Sequence, residues 1–249
     1  MRRLLVPSPE TATGSTDRPK KLQDPYSLRC IPQVHGVVRD TIDFVSGIIG
    51  VEINSATDNP LVFEEERKII SGGNFHGEYI SKALDYLAIA VHELAQISER
   101  RIERLVNPAL SAGLPGFLVK QGGLNCGLMM VQVGAAALVS ENKVLCHPSS
   151  ADSIPTCANQ EDHVSMGGFA ARKVLTVIET VERVLAMELL TACQGLEFRD
   201  LATISGPVLQ YYRLFRTFIK PLDSDRPLSE DIEFTAKMLR EGRFCSSSI

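Results

Sequence analysis

The chain has 249 residues, of which 44% are hydrophobic, and its formal net charge at pH 7 is -4. A chain of this length and composition can bury one or two sizeable cores, which excludes disorder as the expected state. With 30 acidic against 26 basic residues, it has neither a basic stripe for phosphate backbones nor an acidic tail, so nucleic acid is not an expected partner.

The first 21 residues, MRRLLVPSPETATGSTDRPKK, are predicted to be a flexible lead, because the apolar run before Pro7 has only three residues and a secretory signal needs a longer apolar core. No membrane span is expected, since the most apolar stretch, 126–140, is interrupted by Gln132 and is shorter than the roughly 20 residues that cross a bilayer. The six cysteines contain no Cys-x-x-Cys pair, which favours reduced thiols and a cytoplasmic setting.

Beyond the lead, apolar residues recur with helical spacing and alternating strand patterns are scarce, so the predicted fold class is all-α. Asp24 and Pro25 predict the start of a helical turn that is interrupted near Pro32, and a helix follows over 34–53. NSATDNP, at 54–60, is rich in turn formers. The stretch from LVF to SGG after it is expected to be a small hairpin or an irregular excursion.

Long helices dominate the rest of the chain and indicate a bundle. The helix at 126–146 is apolar almost all round, so it must be enclosed by other helices, and we expect assembly with other subunits or with further segments. A capped segment is predicted from Ser229, and the terminal CSSSI is expected to fray. The predicted helices span 74–107, 126–146, 164–199 and 208–219.

The stretch QDPYSLRC is the first candidate site. Gln23, Tyr26 and Arg29 recur every three residues, so they project toward one side of a helical turn. A guanidinium donates two parallel hydrogen bonds to a carboxylate, and a phenol beside it has its pKa lowered, which suits an amino-acid substrate and proton exchange. A capped turn with a surface arginine is the alternative, and spacing alone favours it.

The stretch GGNFHGEY, at 72–79, is the second candidate. Its two glycines let the backbone approach a ligand closely before the helix predicted from about Asn74. An ordinary helix start, with Phe75 and His76 packed in the core, is the alternative.

The third candidate is ANQEDHVSM, which places Gln160, Glu161, Asp162 and His163 ahead of a long apolar helix. A simple cap explains the acidic residues, because they complement the positive end of the helix dipole. A site remains plausible, since the cap does not explain the crowding of amide and imidazole groups. A metal site could be sought among the nearby cysteines and histidines, which are Cys146, His147, Cys157 and His163. Their spacings do not match the usual ligand spacings, so no metal is expected.

Together with NSATDNPLVF, these stretches resemble the aromatic amino-acid ammonia-lyase family, and its histidine ammonia-lyases in particular, in the family's own order. The resemblance covers residue 22 to about residue 222 and implies a helical ammonia-lyase-like domain there, partial relative to the family's chain, with a divergent segment at 223–249. It also implies an all-α bundle of long helices that assembles into a homotetramer with active sites shared between subunits.

The resemblance implies elimination of ammonia from L-histidine to give urocanate. Arg29 would clamp the substrate carboxylate, Tyr26 would handle a proton near the reacting centre, and Gln23 would line the pocket. Phe75 would shape that pocket. Glu161 would meet the substrate's imidazole or amino group, and it bears on specificity because phenylalanine-specific relatives are expected to have an amide there.

The family's electrophile is a methylidene-imidazolone group that forms from the protein's own Ala-Ser-Gly, so no added cofactor is expected. The 249 residues contain no Ala-Ser-Gly; Val45-Ser46-Gly47 is one of three related strings. We therefore expect the chain to be inactive by itself. The alternative is a non-catalytic fragment that associates with full-length subunits and modulates their tetramer. An unrelated helical scaffold would require the four motifs to arise by chance.

Overall fold

The computed structural model describes residues 23–244, so the predicted lead and the predicted frayed terminus lie outside the described residues. Among the described residues there are seven α-helices and one two-stranded antiparallel sheet, which confirms the all-α fold class. The helices and strands are α1 Tyr26–Arg29, α2 Ile31–Ile53, β1 Leu61–Phe63, β2 Lys68–Ile70, α3 Glu78–Val106, α4 Met129–Leu145, α5 Gly167–Leu196, α6 Gly206–Phe218 and α7 Ser229–Arg240.

The three longest predicted helices exist but begin three or four residues later than their apolar patterns predict. Just before or near each observed start lies a residue with a left-handed backbone: Gly77 at φ 74°, Gly127 at φ 58° and Met166 at φ 55°. Such a residue cannot belong to a right-handed helix, and it therefore delays the start. Gly127 must be glycine, because a Cβ there would lie 2.5 Å from the carbonyl oxygen of Phe117.

The predictions for the shorter elements were partly right. The hairpin exists, with Leu61 opposite Ile70. The short turn predicted from Asp24 and Pro25 exists as α1, which ends at Arg29, before Pro32. Pro32 itself occupies the first turn of α2, where no N–H is needed. The cap predicted at Ser229 is wrong, because α7 begins there after Leu228 with no side-chain cap.

The described residues form two compact units, a division that the sequence pattern does not predict. The first unit contains residues 23–31, 95–139 and 182–244, and α6 and α7 lie within it. Phe215 and Leu118 are fully buried in its core. The Gln194 side chain exchanges hydrogen bonds of 3.0 Å with the backbone of Leu222, and the Asp225 carboxylate accepts from the N–H groups of 126 and 127 at 2.7 and 2.8 Å.

The second unit contains residues 32–94 and 140–181, with α2, the hairpin and parts of α3, α4 and α5. Its apolar core includes Val38 and Val177. A buried ion pair also lies inside it: the ammonium of Lys173 is 2.5 Å from the carboxylate of Asp85, and both side chains are almost completely enclosed.

Helices α2 and α4 leave large apolar side chains in solvent. In α4, Met130, Val133 and Val144 are exposed, so the described residues do not enclose this helix as its composition predicts. In α2, Val37, Phe44 and Val51 are also exposed. Within 23–244, no helix combines the length and the apolarity that a bilayer crossing requires.

Candidate active site

The first unit presents Tyr26 and Arg29 together on the one-turn helix α1. The guanidinium carbon of Arg29 lies 4.5 Å from the centre of the Tyr26 ring, which is a cation–π contact. Both side chains are exposed, with Tyr26 at 69% exposure, and so is Gln23. The guanidinium therefore remains accessible to an anion while it contacts the phenol ring.

A cavity of about 840 Å³ lies in the same unit, beside α1. Pro25 and Leu28 form part of its mostly apolar wall, but Gln23, Tyr26 and Arg29 do not line it. Arg101 and Glu188 face it as a bidentate ion pair with a second contact of 2.8 Å, and Arg101 also donates to the Ser27 carbonyl at 3.1 Å. Arg101 thus anchors the turn that carries Arg29.

The second unit places Phe75 in the turn before α3, where it is 51% exposed. The alternative in which Phe75 packs in the core is therefore wrong for this chain. His76 is half-buried, and its Nε2 donates to the backbone carbonyl of His163 at 2.9 Å, while the two imidazole rings stack with centres 5.5 Å apart. These contacts join the second and third candidate motifs.

Glu161 lies in an exposed loop, six residues before α5 begins at Gly167. The explanation of Glu161 as a helix cap, held ionised by the helix dipole, is therefore wrong. The Thr156 hydroxyl donates to its carboxylate, and the Cys157 thiol is also hydrogen-bonded to it. These two hydrogen bonds, that of Thr156 first, lower the pKa of the Glu161 carboxyl. The carboxylate in turn raises the pKa of the exposed Cys157 thiol.

Three side chains in this unit could share a metal ion, since His76, Glu78 and His163 offer ligand atoms within 4.8 Å of one another. The ammonium of Lys82 is 3.2 Å from one carboxylate oxygen of Glu78. The other oxygen, Oε2, lies 3.9 Å from Nδ1 of His76 and is buried with no hydrogen-bond partner. Of the three side chains, only His76 and His163 are hydrogen-bonded to each other's residue, and this contact supports the segment around 163.

Sequence reasoning missed Thr156, Arg101 and Glu188. Thr156 gave no signal, because the spacing of five residues between it and Glu161 matches no helix or strand period. In the sequence, Arg101 and Glu188 are charged residues on long helices. Charged residues on a helix usually belong to its solvent-exposed face, so the two gave no sign of a pair. Their pairing requires the packing of α3 against α5 within the first unit.

The long helices, the hairpin and the motif-bearing loops form the helical fold of the aromatic amino acid lyases. The chain matches the aromatic amino acid lyase family over residues 1–217, a range that begins before Leu22, and it belongs to that family. The family is the group that makes its own methylidene-imidazolone and needs no external cofactor.

Within the family, the chain is similar to proteins named histidine ammonia-lyase. It is 66% identical over 223 residues to that of Caenorhabditis elegans, covering 90% of this chain and 33% of the relative, and 62% identical to that of Homo sapiens, covering 89% and 34%. The structure of histidine ammonia-lyase from Trypanosoma cruzi matches with a TM-score of 0.84 and 58% identity, over 88% of this chain and 44% of that one. The chain thus spans about a third to a half of these relatives' length.

Proposed function

We propose that this chain is the part of a histidine ammonia-lyase that binds the amino-acid substrate, and that the assembled enzyme converts L-histidine to urocanate and ammonia. The observation that carries the proposal is the identity of 62–66% with relatives of that name over about 90% of the chain. Residue chemistry supports it, because the first unit displays an accessible guanidinium and the second an accessible carboxylate, and a zwitterionic substrate requires one charge of each kind.

On the first unit, we assign Arg29 to the substrate carboxylate. Its cation–π contact with Tyr26 restrains the guanidinium, which is exposed and can donate two parallel hydrogen bonds. Tyr26, whose phenol is exposed, is assigned to proton handling, and Gln23 to the lining of the pocket.

On the second unit, we assign Glu161 to the substrate's amino or imidazole group. Its lowered pKa keeps the carboxylate ionised at neutral pH, so it can accept a hydrogen bond from a cationic or neutral nitrogen. Phe75, which projects half-exposed from the neighbouring turn, would shape the pocket around the ring.

The 249 residues do not supply the family's electrophile, because they contain no Ala-Ser-Gly. When bound, that group activates the amino acid for loss of its β-proton; the side chains described above only bind and orient. We therefore propose that the 249 residues alone are inactive. We further propose a homotetramer in the cytoplasm, with residues 22–222 as the lyase-like domain between a lead at 1–21 and a divergent segment at 223–249.

The test combines the chain with an amino-terminal ammonia-lyase segment that carries Ala-Ser-Gly. Urocanate, followed by its ultraviolet absorbance, is expected from the combination with L-histidine and from neither part alone. L-Phenylalanine and L-tyrosine serve as competing substrates. A combination that deaminates only these two would overturn the substrate assignment, and urocanate from the 249 residues alone would overturn the proposed inactivity.

A second candidate function is suggested by the exposed apolar stripe of α2, formed by Val37, Phe44 and Val51. Through such a face the chain would associate with full-length ammonia-lyase subunits and modulate their assembly. Mixing the chain with a tagged full-length enzyme tests this function. Co-purification together with altered activity is expected if it holds, and unchanged activity without co-purification would reject it.

A further inference from the structure

Hydrogen bonds close the loop that carries Glu161 at several positions. At its base, the backbone N–H of Val164 donates to the Ser153 hydroxyl at 2.9 Å. Further in, Thr156 and Glu161 exchange two backbone hydrogen bonds of 3.0 and 3.3 Å, so they face each other as an isolated antiparallel pair. The loop, defined as residues 153–165, is therefore closed at its base by one backbone-to-side-chain hydrogen bond and further in by a backbone pair.

The tip of this loop has an unusual backbone. Cys157, Ala158 and Asn159 follow one another with φ values of 48°, 53° and 71°, all in the left-handed region. Residues other than glycine rarely occupy that region, and three in succession persist only where surrounding contacts hold them. The reversal brings Glu161 back alongside Thr156 within five residues.

The second unit also fixes the loop from outside. His76 donates to the backbone carbonyl of His163 at 2.9 Å, and the Ser81 hydroxyl donates to the backbone carbonyl of Ser165 at 2.5 Å. Both donors belong to the segment that begins with Phe75 and continues into α3. The carboxyl end of the loop is thus held against a long helix.

We propose that Thr156 is a positioning residue of the candidate active site, whose hydroxyl and peptide group together hold the Glu161 carboxylate in its substrate-binding orientation before substrate arrives. The proposal rests on the function proposed above, in which Glu161 meets a substrate nitrogen. Thr156 itself touches no reacting atom; it acts through Glu161.

The hydroxyl contributes in two ways. It removes one rotational freedom of the Glu161 side chain, which would otherwise be lost on binding, because the donated hydrogen bond ties the carboxylate to the loop backbone. It also favours the ionised form of Glu161, since a hydrogen bond to the charged form stabilises that form. The Cys157 thiol supplies a second, weaker donor to the same carboxylate.

The first part of the test does not depend on the substrate. In the 249-residue chain, carboxyl-detected NMR would follow the titration of Glu161 in wild type, Thr156→Val, Thr156→Ser and the control Thr217→Val. Thr217 is exposed on α6, where its hydroxyl donates to the Leu214 carbonyl at 2.7 Å. Thr156→Val should raise the titration midpoint, whereas Thr156→Ser and Thr217→Val should leave it near the wild-type value. An unmoved midpoint in Thr156→Val overturns the proposal.

The second part uses the active combination described above. Thr156→Val should lower kcat/KM for L-histidine by about threefold to tenfold, as expected for one lost hydrogen bond, and the acidic limb of the pH profile should move upward. Thr156→Ser should restore both. A shifted NMR midpoint with unchanged kcat/KM would overturn the positioning role, whereas failure of the wild-type combination to act on histidine would overturn the proposed function alone.

Discussion

At the scale of single residues, the two charged side chains that we assign to substrate binding, Arg29 and Glu161, are restrained by different contacts. Arg29 makes a cation–π contact with Tyr26, so an aromatic ring restricts it. Glu161 is restricted by hydrogen bonds from its own loop. In both cases the restraint is local in sequence, within three or five residues, and the charged group stays exposed. Neither group thus depends on deep burial to be oriented.

Arg29→Ala should lower kcat/KM for L-histidine by an amount that corresponds to about 2 to 4 kcal/mol of transition-state stabilisation, because two charge-assisted hydrogen bonds to the carboxylate are lost. The measurement is steady-state kinetics on the active combination. Arg29→Lys should recover only part of the loss, since an ammonium keeps the charge but not the paired donors. Arg39→Ala, at an exposed position of α2, is the control, and an equal loss there would contradict the assignment.

At the scale of elements, the segment between α4 and the Glu161 loop is anchored by a buried ion pair. Lys173 on α5 contacts both the Asp85 carboxylate on α3 and the backbone carbonyl of His147. Asp85 also accepts from the N–H of Ser150 at 2.7 Å. One charged pair therefore joins two helices to the chain that leads into the loop.

Lys173→Met should destabilise the folded chain by about 3 to 5 kcal/mol, because it leaves Asp85 buried and unpaired. Urea unfolding followed by circular dichroism measures the loss. Arg172→Met is the matched control: Arg172 is exposed and lies over Phe169 at 5.9 Å, so its loss should change the unfolding free energy little. Comparable losses in the two variants would contradict the role of the ion pair.

The same pair predicts an acid sensitivity. Burial by itself would raise the pKa of the Asp85 carboxyl, but the hydrogen bonds from Lys173 and Ser150 outweigh it and leave the pKa lowered. A lowered folded-state pKa stabilises the fold above the unfolded-state pKa, and that contribution is lost as the pH falls through the folded-state pKa. The stabilisation from Asp85 should therefore be complete at neutral pH and disappear only in acid.

At the scale of the whole molecule, we propose that a partner covers the exposed apolar side chains of α2. Val37, Phe44 and Val51 are spaced seven residues apart and are exposed by 51%, 58% and 69%, so they form one stripe along the helix. A soluble monomer rarely leaves such a stripe in water. The proposed tetramer provides a surface that would cover it.

The double substitution Val37→Asp and Val51→Asp should weaken self-association of the chain at least about tenfold, since each charge would have to be desolvated in an apolar interface. Sedimentation velocity over a range of protein concentrations measures this. Val62→Asp, at an equally exposed apolar position on β1, is the control. If the control weakens association as much as the double substitution does, the stripe is not the interface.

Much of the fold could be predicted because helical periodicity is a local property of the sequence. Every long helix was predicted, the turn at 26–29 was predicted from Asp24 and Pro25, and the hairpin was one of two alternatives for its segment. The starts of the long helices were not predicted, because they depend on residues with a left-handed backbone such as Met166. Methionine rarely adopts that conformation, so its presence in the sequence does not predict it.

The candidate site shows the same division. The sequence by itself determined which segments and which charged residues, Arg29 and Glu161 among them, are candidates for binding an amino acid, because motif and residue type can be identified without the fold. Only the tertiary structure decided that Glu161 lies in a loop, that Thr156 holds its carboxylate and that Lys173 meets Asp85. Those contacts arise where the backbone reverses or helices pack, and their partners are set by geometry that no periodic spacing encodes.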